Sequence, residues 1–153
     1  MFPSSQKAQA ENKLKIADHL LSTTFIIVKD PKLLVSIIDA LYQAIDISIY
    51  AMLEFEKKFK NLEYDESKKL ELFRRKIITK YGLDPKIVDF YNDLKITLES
   101  HRKSGVEFTK REKFVISDND YNLKTLTYDD VKKKHALAKT YVEQMFNIIK
   151  KYE

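Results

Sequence analysis

The sequence predicts an all-α protein, a five-helix antiparallel bundle with a short β-hairpin or an irregular loop near residues 106–116. Apolar residues recur three and four positions apart along most of the chain, which is the spacing of an amphipathic helix. Only two glycines and three prolines occur among the 153 residues, so few long loops are expected. A chain of this length can bury roughly 70% of its unfolded surface in one core. We therefore expect a single helical domain over residues 1–153.

Two long helices are predicted in the first part of the chain. An Asp-Pro pair separates them, and it favours a helix start because Asp accepts hydrogen bonds from unpaired amides and Pro lacks one of those amides. The expected bounds are Ser4 or Ser5 to about Lys29, and Asp30 to about Lys60. The apolar stripe of the first helix consists of Leu14, Ala17, Leu21, Thr24 and Val28. That of the second contains Leu34, Ile38, Leu41, Ile45, Met52, Phe55 and Phe59.

Three further helices follow. The third is expected to begin after a cap at Asp65 and to end at Gly82, since glycine readily adopts the left-handed conformation that terminates a helix. Asp84-Pro85 repeats the start signal for the fourth helix. The last helix is expected to begin after an N-cap at Thr127.

Residues 101–116 depart from the helical pattern and read His-Arg-Lys-Ser-Gly-Val-Glu-Phe-Thr-Lys-Arg-Glu-Lys-Phe-Val-Ile. Apolar and polar residues alternate in Val106–Phe108 and in Phe114–Ile116, which favours two short strands joined by Thr-Lys-Arg-Glu. An irregular loop that opens at Gly105 is the alternative.

This segment also combines cations with aromatic rings. RNA-binding proteins use cations to contact phosphates and aromatic side chains to stack on unpaired bases. The candidate RNA-binding residues are Arg102, Lys103, Lys110, Arg111, Lys113, Phe108 and Phe114. The alternative is a hairpin whose rings fold inward and whose charges are only solvated.

Composition restricts the partners and the compartment. The net charge of +5 and a pI near 9.1 suit RNA, a ribonucleoprotein or an acidic partner protein, but they also serve solubility. The chain has no cysteine, which excludes disulfides and fits the cytoplasm. It has no signal-peptide pattern at its start and no uncharged run of about 20 residues, so no membrane association is predicted. No phosphate-binding glycine loop, nucleophile elbow or zinc motif occurs, so neither a cofactor nor a metal is predicted.

Two histidines are catalytic candidates. His101 and His135 both fall on the apolar stripes of their helices, where they either pack or meet as an acid and a base. His101 with its neighbour Arg102 is the pair that a divergent, metal-independent ribonuclease would use.

The run from Asn12 to Glu56 resembles the first two long helices of the HEPN superfamily. It contains Lys-Leu-Lys-Ile-Ala-Asp-His-Leu-Leu, then Asp-Pro, then Ile-Asp-Ala-Leu-Tyr-Gln-Ala-Ile-Asp-Ile-Ser-Ile-Tyr-Ala-Met-Leu. The resemblance implies a small helical bundle that dimerises and associates with RNA. Catalytic members carry an Arg, then four to six residues and then a His near the start of a late helix, and no Arg precedes His101 or His135 at that distance. The resemblance therefore supports RNA association and counts against the family's nuclease chemistry.

A homodimer is predicted for a second reason. Helix two carries apolar residues outside its main stripe, and a second copy of the chain would bury them. These residues are Val35, Ile37, Ala40, Ile47 and Ile49. In the alternative, helix two is the central helix of the monomer and the other helices cover them. The function expected is a non-catalytic, HEPN-like RNA-binding protein, with a ribonuclease or a protein-interaction module as alternatives.

Overall fold

The computed structural model describes residues 3–60, 68–104, 106–111, 113–117 and 122–153, and it is mostly helical. Helix α1 comprises Pro3–His19, a π-helical turn Leu20–Thr24 and Phe25–Val28, and α2 is Leu33–Lys60. Helix α3 comprises Lys69–Leu72, a π-helical segment Phe73–Ile78 and Thr79–Tyr81. Helix α4 is Lys86–Lys103, and α5 is Tyr128–Tyr152. The strands are β1 (Val106–Lys110), β2 (Lys113–Ser117) and β3 (Leu123–Leu126). The five predicted helices and the hairpin are present.

The strand β3 was not predicted, and it corrects the expected all-α class. It pairs antiparallel with β2, so that the hairpin becomes the first two strands of a three-stranded sheet of order β1-β2-β3. The sheet lies between α4 and α5 in the chain and contributes Phe114, Ile116 and Leu126 to the core. The protein is therefore a mostly helical fold with one small antiparallel sheet.

Several helix ends follow the local signals, but α1 begins at Pro3, before the cap expected at Ser4 or Ser5. The amide of Lys32 donates to Asp30 Oδ1 at 3.0 Å, and that of Lys86 donates to Asp84 Oδ1 at 2.9 Å. Thr127 Oγ1 accepts from the amide of Asp130 at 3.2 Å and so caps α5. Gly82 has a φ of 67° and ends α3 in the left-handed conformation. The expected cap at Asp65 lies outside the described residues.

A π-helical turn shifts the buried face of α1. The regular stripe predicted that Val28 is buried, but Val28 is 59% exposed and Phe25 is buried instead. In the turn, the amide of Phe25 donates to the carbonyl of Leu20, five residues back instead of four. The extra residue moves the apolar stripe from Thr24 to Phe25, whose ring stacks on Tyr128 of α5 at 5.1 Å.

Helix α2 is the central element and packs against each of the other four helices. Val35, Ile37, Ala40 and Ile49 are at most 8% exposed, and Ile47 packs on the core. The monomer thus buries the surface on which the predicted dimer through this helix depended. By length and composition alone the stretch Leu33–Lys57 could cross a membrane, but here its apolar side chains are largely covered by neighbouring helices.

Candidate functional site

The β-hairpin that follows α4 presents two different faces. Its strands pair in a register that places Thr109 opposite Phe114 and Phe108 opposite Val115. Directly opposite residues project to the same side of a sheet, and successive residues project to opposite sides. Phe108 and Phe114 therefore lie on opposite faces. We call the side with Phe114 and Ile116 the inner face, because both residues belong to the core.

The inner face removes Phe114 from the predicted RNA-binding set. Its side chain is 3% exposed and its ring packs edge-on against His101 at 6.2 Å. A buried ring offers no surface on which a base can stack. Phe108 is 43% exposed and remains available.

The turn of the hairpin carries exposed cations. Arg111 has a φ of 49°, the left-handed conformation that a tight two-residue hairpin turn requires. The strand ends on either side of it place Lys110 directly opposite Lys113. Arg102 and Lys103 lie on the last turn of α4, which leads into the hairpin.

All five predicted cations are exposed, and none has a carboxylate within ion-pair distance among the described residues. Two lysines that lie near the sheet are paired by contrast: Lys124 Nζ lies 3.1 Å and Lys134 Nζ lies 3.5 Å from the carboxylate of Asp93. The segment from His101 to Lys113 also contains Glu107 and Glu112, and with five Arg and Lys residues it keeps a net positive charge.

His101 lies beside the hairpin and is held by it. Its Nδ1 atom is 2.6 Å from Oε2 of Glu107 in β1. An ionised carboxylate can only accept, so beside it Nδ1 is the donor, and in a neutral ring Nε2 is then the acceptor nitrogen. The side chains of His101 and Glu107 are 39% and 25% exposed, so the pair is open to solvent.

Two adjoining clefts separate the start of α2 from the end of α4 and the hairpin. They measure about 750 and 440 Å³ and share Val35, Ser36 and His101. The larger is also lined by Lys32, Glu107, Phe108, Thr109 and Phe114, and the smaller by Asp39, Tyr42, Leu98 and Arg102. Phe108 borders the cleft because β1 is an edge strand. The two spaces together are called the α2–α4 cleft below.

A buried polar network supports the wall of this cleft. Tyr91 donates to Asp46 Oδ1 at 2.9 Å, so its single hydroxyl proton is used, and Tyr42 must donate to Tyr91 at 3.0 Å. Lys69 lies 2.9 Å from the same Asp46 oxygen. Burial, then the hydrogen bond with Tyr42, then the nearby Asp46 carboxylate raise the pKa of Tyr91 above its ordinary range. Tyr42 and Asp46 lie on α2, Lys69 on α3 and Tyr91 on α4, so spacing along the sequence does not reveal these contacts.

The structure does not bring the two candidate histidines together. His135 lines a separate cleft of about 500 Å³ between α1 and α5, with residues such as Lys15, Phe146 and Glu143. His101 instead lines the α2–α4 cleft. An acid–base pair of these histidines is therefore not formed. In the described part of the chain, no three His, Asp or Glu side chains cluster as a metal ion would require.

Comparisons with protein-family models, with curated proteins and with solved structures found no match to this chain. The functional argument therefore starts from the hairpin, its cations and the α2–α4 cleft.

Proposed function

We propose that this protein binds RNA, free or within a ribonucleoprotein, through the basic segment from His101 to Lys113, and that it does so without catalysis. The observation that carries the proposal is the set of five exposed cations without an ion-pair partner in the described residues. Phosphates provide regularly spaced charges that such a set can neutralise. The exposed ring of Phe108 adds a group that an acidic protein would not specifically require.

A competition experiment distinguishes RNA binding from the alternative, which is binding of an acidic partner protein. Purified protein is titrated into fluorescently labelled RNA, and bound RNA is then challenged with polyglutamate or with unlabelled RNA. RNA binding predicts that unlabelled RNA displaces the label far more effectively than polyglutamate at equal charge concentration. Equal displacement would contradict the RNA proposal and favour an acidic partner protein.

The fold part of the proposal is a HEPN-like antiparallel bundle. Short connections support antiparallel neighbours, because α1 and α2 pack together and are joined by residues 29–32. The pattern from Asn12 to Glu56 supports the HEPN-like assignment. The absence of cysteine supports a cytoplasmic location.

A homodimer remains part of the proposal, on a different surface from that first expected. Ile26, Ile27 and Val28 are consecutive at the end of α1 and are 52%, 76% and 59% exposed. Three adjacent apolar side chains in water favour burial against another surface. A second copy that presents the same patch across a two-fold axis would cover both.

The pair His101–Glu107 favours a ribonuclease as the second candidate function. A histidine whose Nδ1 is held by a carboxylate presents Nε2 as a base. In RNA cleavage, Nε2 would take the proton of a 2′-hydroxyl, whose oxygen attacks the adjacent phosphorus and expels the 5′-oxygen, which is protonated by solvent. Lys32 and Arg102, which line the α2–α4 cleft, are the cations available to the phosphate.

A further inference from the structure

The outer face of the three-stranded sheet has an ordered set of side chains. The register places Lys110 beside Lys113 at the turn. The next row contains Phe108, Val115 and Thr125, and the row farthest from the turn contains Val106, Ser117 and Leu123. Cations, an aromatic ring and aliphatic side chains thus follow one another across a single surface.

On this outer face the exposed apolar side chains lie on the two edge strands, β1 and β3. Val106, Phe108 and Leu123 are 58%, 43% and 65% exposed. The core takes Phe114, Ile116 and Leu126 from the inner face. In the middle strand of the outer face, Val115 and Ser117 are buried as well, at 6% and 9% exposed. The open part of the outer face in the described structure therefore consists of its β1 and β3 residues and of Lys113 at the turn, and it is both apolar and basic.

The two lysines at the hairpin turn indicate that a ligand of the outer face would be negatively charged. Like charges directly opposite each other on neighbouring strands repel, and Lys110 and Lys113 occupy such positions, with Arg111 and Glu112 between them in the chain. An anion that contacts both ammonium groups would relieve this repulsion. Phe108 lies two residues from Lys110 on the same face, about 7 Å along the strand.

We infer that the outer face binds single-stranded RNA, with an unpaired base stacked on Phe108 and neighbouring phosphates on Lys110 and Lys113. The inference rests on the proposed RNA-binding function and names the class of RNA. A ring on a sheet surface stacks only on a base whose face is free, whereas the bases of a duplex are already stacked on each other. Val106 and Leu123 extend the apolar part of the platform beyond the ring.

The test compares a short single-stranded RNA with the same strand annealed to its complement. Wild-type protein is expected to bind the single strand more tightly. Phe108→Leu keeps an apolar side chain but removes the ring, and it should weaken single-strand binding roughly 5- to 100-fold. Phe108→Tyr keeps the ring and should bind as the wild type does. Thermal unfolding of each variant shows that the fold is retained.

Lys150→Gln provides the matched charge control, because Lys150 is exposed near the far end of α5, about 33 Å along the helix from Tyr128. It should leave binding unchanged, whereas Lys110→Gln should weaken it. Unchanged binding by Phe108→Leu, or duplex binding as tight as that of the single strand, would overturn the platform while RNA binding itself survives. Failure of wild type to bind either RNA would instead reject the proposed function, and the platform with it.

Discussion

Phe108 and Phe114 lie on opposite faces of one β-hairpin, although the sequence presents them as equivalent rings among the same cations. Phe114 is in the core beside His101, and Phe108 is open to solvent. One ring therefore stabilises the fold and the other is available to a ligand.

Unfolding measurements test this division. Phe114→Ala should lower the free energy of unfolding by about 3 to 5 kcal/mol, because it leaves a cavity in the core. Phe108→Ala should lower it by about 1 kcal/mol or less, because its ring is already partly solvated. Urea denaturation followed by circular dichroism measures both. Equal losses would show that the two rings are buried alike and would contradict the register.

The sequence predicted those parts of the fold that local signals determine. Asp30, Asp84, Thr127 and Gly82 fix helix ends through contacts a few residues away, so the chain itself shows them. The π-helical turn in α1 was not predictable from a regular spacing, and it changed which residue is buried.

Tertiary packing determines the parts that the sequence did not predict. The strand β3 has only four residues, and its pairing with β2 rather than its own pattern makes it a strand. His101 and Glu107 are six residues apart across a helix end and a strand, a spacing that no helical or strand rule pairs. The α2–α4 cleft joins residues from distant parts of the chain.

The tyrosine network predicts a pH dependence of stability. The pKa of Tyr91 is raised in the folded protein above its ordinary value of 10.0, so the folded state holds this proton more tightly than the unfolded state does. Its contribution is fully present below about pH 10 and is lost as the pH rises further. Tyr91→Phe should lower the free energy of unfolding by about 1 to 3 kcal/mol near neutral pH. Above about pH 10, the free energy of unfolding of this variant should fall less steeply than that of the wild type.

Denaturation midpoints of wild type and Tyr91→Phe from neutral pH to pH 11 or so test this dependence. Leu137→Ala, at an exposed position of α5, serves as the control variant and should follow the wild-type curve. Parallel curves for wild type and Tyr91→Phe above pH 10 would contradict the raised pKa.

Cleavage assays distinguish binding from catalysis at the His101–Glu107 pair. Under the leading proposal, RNA incubated with the protein in a chelator stays intact, and His101→Ala changes affinity little. The ribonuclease alternative predicts cleavage that His101→Ala abolishes. Glu107→Gln should reduce cleavage and alter its pH profile, because Glu107 orients the ring of His101. Cleavage that is lost in folded His101→Ala would refute the non-catalytic proposal.

The apolar end of α1 predicts a dimer that charge can disrupt. Wild type should have the mass of a dimer by light scattering at micromolar concentration, and Ile27→Lys should shift it to the monomer without a loss of helical signal, because residue 27 is 76% exposed. Ile96→Lys is the matched control, since Ile96 is 54% exposed on α4. A monomeric wild type would exclude the dimer.

The central claim is that the basic segment binds RNA phosphates, and the salt dependence of binding tests it most directly. The logarithm of the wild-type binding constant should fall linearly with the logarithm of salt concentration as counterions are released. Alanine at Arg102, Lys103, Lys110, Arg111 or Lys113 should each lower the slope by about one unit, while Lys150→Ala leaves it unchanged. Binding that is independent of salt, or slopes that none of the five substitutions alters, would contradict the account.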